Sequence, residues 1–423
     1  MGVLYRAAHF RLCLLIGTLC LLGAGSINPV SAAADPAAAS ADLEDAAPDS
    51  IDGVIKQRDE LVYDPRRRSL FPEFYYKLRK KRLDWWQKHR VDLTLTYDLL
   101  AQAYNDRDVS VNGTAGDLSL SGRWLITGQR FNKPVYLLFR FRQRHAYTDY
   151  APADIREQTD LLWGTVDGFS DSGFQIPDFY LDQILFDEKL ALRYGQFSID
   201  KFVDKHQLRS TKRYFLNQAF SSNPTINFPS YGAGFAVDWK PRPGWEITAG
   251  ISNIQGVEDD DQIDLSIDST ALFGTVQAAC NFKGLGDRDG RFQLMAWESD
   301  QNREDDYLDG YGASLTLEHG GINHGETYVL RLAHSAGDPT NTDTLAFLGY
   351  GREIRRFDSL GLGIGAGRSS TTSAWQTVLE TYYRWQVTKE LVITPDLQVI
   401  LGDDEGGESK VRAVGGIRIG IVF

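Results

Sequence analysis

The stretch Val135-Tyr136-Leu137-Leu138-Phe139-Arg140-Phe141-Arg142-Gln143-Arg144 holds the most suggestive chemistry in the chain. Side chains of an extended strand alternate between two faces, so Arg140, Arg142 and Arg144 share one face and Leu137, Phe139 and Phe141 the other. A guanidinium is all donor and no acceptor. A row of them offers charge-assisted hydrogen bonds to hydroxyls, carboxylates or phosphates. That is binding chemistry, not bond-breaking chemistry. The seven histidines are scattered, and no Ser/His or Asp/His set suited to hydrolysis stands out.

The same alternation runs from residue 90 to the end. Val91, Leu93, Leu95, Tyr97 and Leu99 alternate with Asp92, Thr94, Thr96 and Asp98. In the last strand Phe423, Ile421, Ile419 and Ile417 are apolar, with Gly420, Arg418, Gly416 and Arg412 between or before them. A soluble β-sandwich also alternates, but it turns its polar face outward. An arginine on the lipid face of a membrane barrel costs roughly 2–4 kcal/mol at the midplane. The arginines therefore belong to a water-filled interior: Arg123, Arg140, Arg142, Arg193, Arg331, Arg384, Arg412 and Arg418, with carboxylates at Asp92, Asp238, Glu246, Glu380 and Asp396. They read either as a mutually neutralising ladder along the wall or as direct contacts for a solute. Both stay open at this level.

Turn lengths give the elements that must position these groups. Short links near 128–134, 187–189, 241–244, 284–290, 320–325, 352–356 and 388–390 alternate with long ones near 105–115, 148–177, 199–229, 255–268, 299–307, 336–343, 368–373 and 402–409. The pattern predicts an all-β fold: a transmembrane antiparallel β-barrel of about 16 strands over residues 90–423, wide enough for an aqueous channel. Short turns are periplasmic and long loops extracellular. The third long loop, after Gln196-Phe197, is the candidate constriction. It carries Asp200, Lys201, Asp204, Lys205, His206, Arg209, Lys212, Arg213 and Tyr214. Mixed charge there sets a transverse field, and the aromatics offer a platform for the C–H face of a sugar. Trp163 and Phe169 of the second loop are placed to cap the same mouth.

The start of the chain agrees. Arg6, His9 and Arg11 precede an apolar run from Leu12 to Gly25, and small residues follow at Ser31–Ala34. Residues 1–34 read as a secretory signal peptide. Residues 35–50 are Ala/Asp/Pro-rich and read as a disordered linker. Residues 51–89 have helical spacing at Ile51, Val54 and Ile55 and a basic, aromatic run from Phe74 to Trp86, read as a short periplasmic N-terminal segment leading into the barrel. Past the leader no run of 18 apolar residues occurs. With Cys13 and Cys20 in the leader, Cys280 is alone and no intramolecular disulfide is expected. A net charge of -12 argues against nucleic-acid binding. The run Glu258–Asp261 reads as a solvated loop tip, and His319 and His324 lack zinc spacing, so no metal and no cofactor is expected.

Two stretches resemble a known family. One is Leu190-Ala191-Leu192-Arg193-Tyr194-Gly195-Gln196-Phe197, followed by Phe215–Phe220. The other joins Asp358–Gly363, Glu380-Thr381-Tyr382-Tyr383 and Leu391–Ile400 with its Pro395-Asp396-Leu397-Gln398. They resemble the OprB family of carbohydrate-selective outer-membrane porins over most of residues 90–423. The acidic loop at 402–407 departs from that pattern. The resemblance implies passive, sugar-preferring diffusion of carbohydrates and other small hydrophilic solutes across a bacterial outer membrane, with a terminal aromatic, Phe423, offered to the barrel-assembly machinery. The alternatives are a general or anion-leaning porin, a barrel enzyme, or an adhesin resting on the basic 74–90 segment. The sequence leaves open whether copies associate.

Overall fold

The structure, a computed structural model, describes residues 49–423 apart from 64–66, 128–133, 160, 258–262, 268–270, 285, 287, 302–307, 322–324 and 404–408. The expected signal peptide, nearly all of the linker, the run Glu258–Asp261, His324 and most of the acidic loop at 402–407 lie outside the described residues.

Sixteen antiparallel strands close into a barrel, each paired with its sequence neighbours and the first with the last. In chain order the first eight are β1 (Val91–Asn105), β2 (Ser110–Thr127), β3 (Val135–Ala146), β4 (Gly173–Leu185), β5 (Leu190–Phe197), β6 (Gly232–Trp239), β7 (Trp245–Asn253) and β8 (Leu272–Lys283). The second eight are β9 (Asp289–Ser299), β10 (Gly310–Gly321), β11 (Glu326–Ala336), β12 (Thr342–Arg355), β13 (Asp358–Ser369), β14 (Trp375–Gln386), β15 (Leu391–Asp403) and β16 (Ser409–Val422). Closure pairs Leu99 with Ile419 and Leu100 with Arg418, so β1 and β16 present lipid-side and lumen-side residues in step. Closure also removes every free edge, which a bilayer does not tolerate.

The two faces separate as the alternation predicts. Leu95, Leu118, Leu330, Leu348, Leu379, Leu397 and Ile417 are exposed to the outside, where lipid sits. Arg331, Glu380, Gln398, Arg412 and Arg418 are buried inside. Trp124, Trp239, Trp385 and Tyr328 cluster at the short-turn end and Tyr147, Tyr311 and Trp375 at the other, all exposed on the outer face. Aromatic rings at both ends of the apolar band match the two interfaces of a membrane.

Inside, the barrel is largely filled. The 198–231 loop between β5 and β6 and the 147–172 loop between β3 and β4 fold inward. Phe215, Phe220 and Trp163 from these loops pack against Phe347, Val378 and Tyr382 of the wall. Strand β13 makes room for them with glycines. A Cβ on Gly363 would meet the Phe220 ring at 2.9 Å, and one on Gly367 the Trp163 ring at 2.6 Å. A bare backbone lets the loop aromatics lie directly against the sheet.

The segment expected at 51–89 divides in two. Helix α1 (Ile51–Tyr63) sits within the barrel: Ile51 and Ile55 pack with Leu138, Tyr180, Phe197 and Ile199. Helix α2 (Pro72–His89) buries no residue and lies at the short-turn rim. It begins with proline in its first turn and ends where Arg90 takes a left-handed conformation and donates its N–H to Trp86 O at 3.0 Å. That turn launches β1.

Candidate functional site

Three layers of contacts define the passage. The first is the wall itself. Arg140, Arg142 and Arg144 project inward from β3 opposite Ser121, Ser119 and Asp117 of β2. On the other side Arg140 faces Asp178, but the register then slips so that Arg142 faces Gln175. The slip falls at Ile176-Pro177. Proline has no N–H for the ladder, and the resulting bulge turns Gln175 inward and Phe174 out towards lipid.

The second layer is the loop between β5 and β6, pinned to the wall on nearly every side. Arg331 of β11 donates to Ser222 O at 2.6 Å and to Asp204 O at 2.7 Å, and lies 3.1 Å from the Asp204 carboxylate. Asp204 also takes Ser314 Oγ–H at 2.7 Å, and its own N–H donates to Gln277 at 2.7 Å. Glu318 accepts the Gln207 N–H at 2.9 Å, and Gln293 donates to Lys205 O at 2.6 Å. Glu380 accepts the N–H groups of Leu216 and Asn217 at 2.5 and 3.1 Å. Asn217 caps the one-turn helix α3 (Gln218–Ser221), accepts Trp163 Nε1–H at 2.7 Å and donates to Gln398 at 2.9 Å. Arg418 donates to Thr211 O and to Tyr214 O. Lys212 lies 3.0 Å from Asp98 and 3.1 Å from Asp117. The loop therefore crosses the lumen from β5 to β16, β1 and β2.

Burial and neighbouring charge tune the loop. Burial opposes the charge on Lys212, but Asp117 and Asp98 outweigh it and hold its pKa above the usual lysine value. Lys201 and Lys205 are pushed down by burial despite facing Asp178 and Glu246. His206 is held well below the usual histidine value by burial, then by Arg331 and Arg209. Its Nε2 lies 3.0 Å from Phe220 O, so Nε2 carries the proton and donates, and the buried Nδ1 has no hydrogen-bond partner among the described residues.

The third layer is α1, seated from the short-turn side. Its first turn reaches the constriction: Arg140 donates to Asp49 O at 2.8 Å, Ser210 donates to the Asp49 carboxylate at 2.6 Å, and Arg213 donates to Gly53 O at 3.1 Å. Lower down, Asp52 pairs with Arg123 at 2.7 Å, and Arg58 with Asp92 at 3.1 Å.

What remains open is a polar cavity of about 660 Å³ bounded by β1–β4, both infolded loops and the tip of α1. Of the residues singled out from sequence, Arg140, Arg142, Arg144, Trp163, Asp200, Lys201, Lys212, Arg213 and Arg384 line it. Asp200 is paired with Arg209 at 2.7 Å, and Lys201 with Asp178. Others sit elsewhere. Arg193 pairs with Asp238 beneath Phe202, and Glu246 with Arg291 at 2.8 Å. Asp396 accepts from Gln398 and Arg412 donates to Gly402 O, whereas Arg384, at the cavity wall, donates to Phe357 O and Gln386. Tyr214 stacks at a tilt on Tyr382. Arg331, Glu380 and Arg418 hold the loop.

The cations along β3 are not equivalent. Arg140 is 3.2 Å from Asp178, and Arg144 is 2.9 Å from Asp117. Arg142 donates to the Gln175 amide oxygen at 2.8 Å and lies 6.0 Å from the Tyr231 ring. Among the described residues it forms no ion pair. Sequence reasoning did not single out Gln175, Tyr231, Asp178 or Asp117. The signal for the two aspartates was their inward place in the alternation; Gln175 was hidden by the bulge. Among the described residues no group of His, Cys, Asp or Glu is arranged to hold a metal ion.

A model of the carbohydrate-selective porin, OprB family, matches residues 164–375 and 343–423, which together make up more than half of the chain. The chain belongs to the OprB family. No curated protein matches it. Among solved structures it is similar to the high-pH structure of Pseudomonas putida OprB, with a TM-score of 0.65 at 15% identity over 81% of this chain and 96% of that one. The low-pH structure of the same protein aligns with a TM-score of 0.51, also at 15% identity, over 81% and 95%. At that identity the likeness shows the barrel fold. Family and fold together make this OprB-family chain a porin of the bacterial outer membrane for sugar-preferring diffusion of carbohydrates and small hydrophilic solutes.

Proposed function

We propose that sugars pass between β1–β4 and the two infolded loops, and that Arg142 with Tyr231 makes the contact that favours them. The observation that carries this reading is the isolation of Arg142. Its neighbours along β3 are each matched to a carboxylate within the wall. Arg142 makes no ion pair among the described residues; it donates to a neutral amide and lies beside an aromatic ring, with the Asp117 carboxylate acting on it from further off. A hydroxylated ring can take its remaining donors through hydroxyl oxygens and lay a C–H face on the tyrosine. Charge-assisted bonds make the site worth entering, and a single weak site lets the solute leave. No bond is broken, so the chain acts as a channel and not as an enzyme. Phe423 is offered to the assembly machinery before the barrel closes.

The test is swelling of liposomes carrying the purified protein, with neutral sugars, amino acids and salts of matched size. Sugar entry that saturates, and loses its saturation with Arg142→Ala while amino-acid entry holds, supports the reading. An uncompensated cation also suits a general, anion-leaning pore. Entry set by size and charge alone favours that second reading.

A further inference from the structure

Helix α2 is unusual for an element that touches a folded barrel, because none of its residues is buried. Its side chains fall into rows. Phe74, Leu78 and Trp85 are spaced by four and seven residues and form one face. Lys77, Lys81 and Lys88 repeat that spacing three positions later, so they form an adjacent row. Phe74, Trp85 and all three lysines are exposed, and among the described residues none of these lysines forms an ion pair. Rows beside the apolar one tie α2 down: Arg82, four residues after Leu78, pairs with Asp59 of α1 at 2.7 Å, and the Trp86 ring lies 5.8 Å from Arg123 of β2. The helix is thus held in a fixed orientation that leaves the three lysines, Phe74 and Trp85 exposed and Leu78 half-buried.

The direction in which they face is set by one contact. Phe74 meets Phe423 edge-on at 5.9 Å between ring centroids. Phe423 follows Ile421, Ile419 and Ile417 on the lipid face of β16. The apolar row of α2 therefore continues the barrel's lipid-facing band at its short-turn, periplasmic end. The tryptophan of that row suits the level where acyl chains give way to headgroups.

We propose that α2 lies on the periplasmic leaflet of the outer membrane, with Phe74, Leu78 and Trp85 among acyl chains and Lys77, Lys81 and Lys88 on the phosphates of anionic phospholipids. Charge complementarity and continuity with the lipid band both point to this occupant. Basic residues close to an anionic surface each strengthen binding several-fold, and three together by roughly a hundredfold. The helix would anchor the periplasmic mouth of the barrel and, through Arg82, the foot of α1.

The experiment places a photoreactive benzoylphenylalanine at position 85 of the complete protein, reconstituted in phosphatidylethanolamine vesicles with and without phosphatidylglycerol. After irradiation the adducts are identified by mass. Lipid adducts enriched in phosphatidylglycerol beyond its share, with that enrichment abolished in Lys77→Gln/Lys81→Gln/Lys88→Gln, are the expected result. The variant's heat-dependent gel mobility reports that its barrel is folded. Absence of lipid adducts overturns the proposal, because Trp85 then faces water. Adducts that follow bulk composition in both proteins overturn the anionic assignment.

Discussion

Arg331→Met tests how the constriction is held. The guanidinium is fully buried and meets the Asp204 carboxylate at 3.1 Å, Asp204 O at 2.7 Å and Ser222 O at 2.6 Å. Methionine keeps much of the volume and removes the charge. Asp204 would then be a buried carboxylate supported by Ser314 at 2.7 Å and Asn223 at 3.2 Å. Removing one partner of a buried pair costs about 3–5 kcal/mol, because the remaining charge stays desolvated. At about 1.4 kcal/mol per decade, the local opening equilibrium of residues 204–222 rises by about two to four decades. Amide hydrogen exchange in the folded, reconstituted protein reads this directly, with strands β5 and β6 as an internal control. Adding Asp204→Asn removes the orphaned charge and is expected to restore about half of the protection. Unchanged exchange over 204–222 in the single variant would refute the idea that this pair staples the loop.

Other outcomes follow from the same contacts. Arg142→Lys keeps the charge but loses the planar fork, and is expected to weaken saturation in sugar swelling about tenfold, at roughly 1–2 kcal/mol for a charged hydrogen bond. Deleting residues 49–63 removes α1 from the lumen, and planar-bilayer recordings should show a severalfold larger conductance from a still-folded barrel. Gly363→Val drives a methyl into the rings of Phe220 and Phe215, and a cost of about 1–3 kcal/mol should appear as faster exchange in residues 215–221. His206 gives a pH dependence. Its folded pKa is depressed, so its contribution is complete above the unfolded value of about 6.5 and is lost as pH falls from there towards the folded value. Protection of the loop amides, taken relative to their intrinsic rates, should therefore fall below about pH 6, and His206→Gln should flatten that response.

The barrel was legible because its evidence is local. Alternation along β14 and β16 placed Glu380, Arg384, Arg412 and Arg418 on the inner face, and turn spacing gave the strand number. The division of those residues into passage and anchor was not legible, since it depends on which loop atom each one meets far away in sequence. Gln175 shows a second limit. A strict period puts it on the lipid face, and only the slip at Ile176-Pro177 brings it beside Arg142. The alternating glycines of β13 were visible, but their meaning lay in Phe220 and Trp163, which come from two other loops. Ile51 and Ile55 revealed a helix with an apolar stripe, but the surface that covers the stripe is the inside of the barrel.

The reach of the loop anchors has a consequence for how the molecule is made. Leu216 finds Glu380 164 residues further on, Asn217 finds Gln398 181 residues on, and Tyr214 finds Arg418 204 residues on. These partners come from the last strands to be synthesised. The 214–217 end of the loop gains these anchors only once the sheet has nearly finished rolling up, whereas residues 204–207 already meet β8 to β11. The last part of the narrowing is therefore a finishing step, completed only when β14 to β16 are in place. A chain arrested before β16 joins β1 would be a large hole in the membrane, which gives the cell a reason to couple insertion to closure.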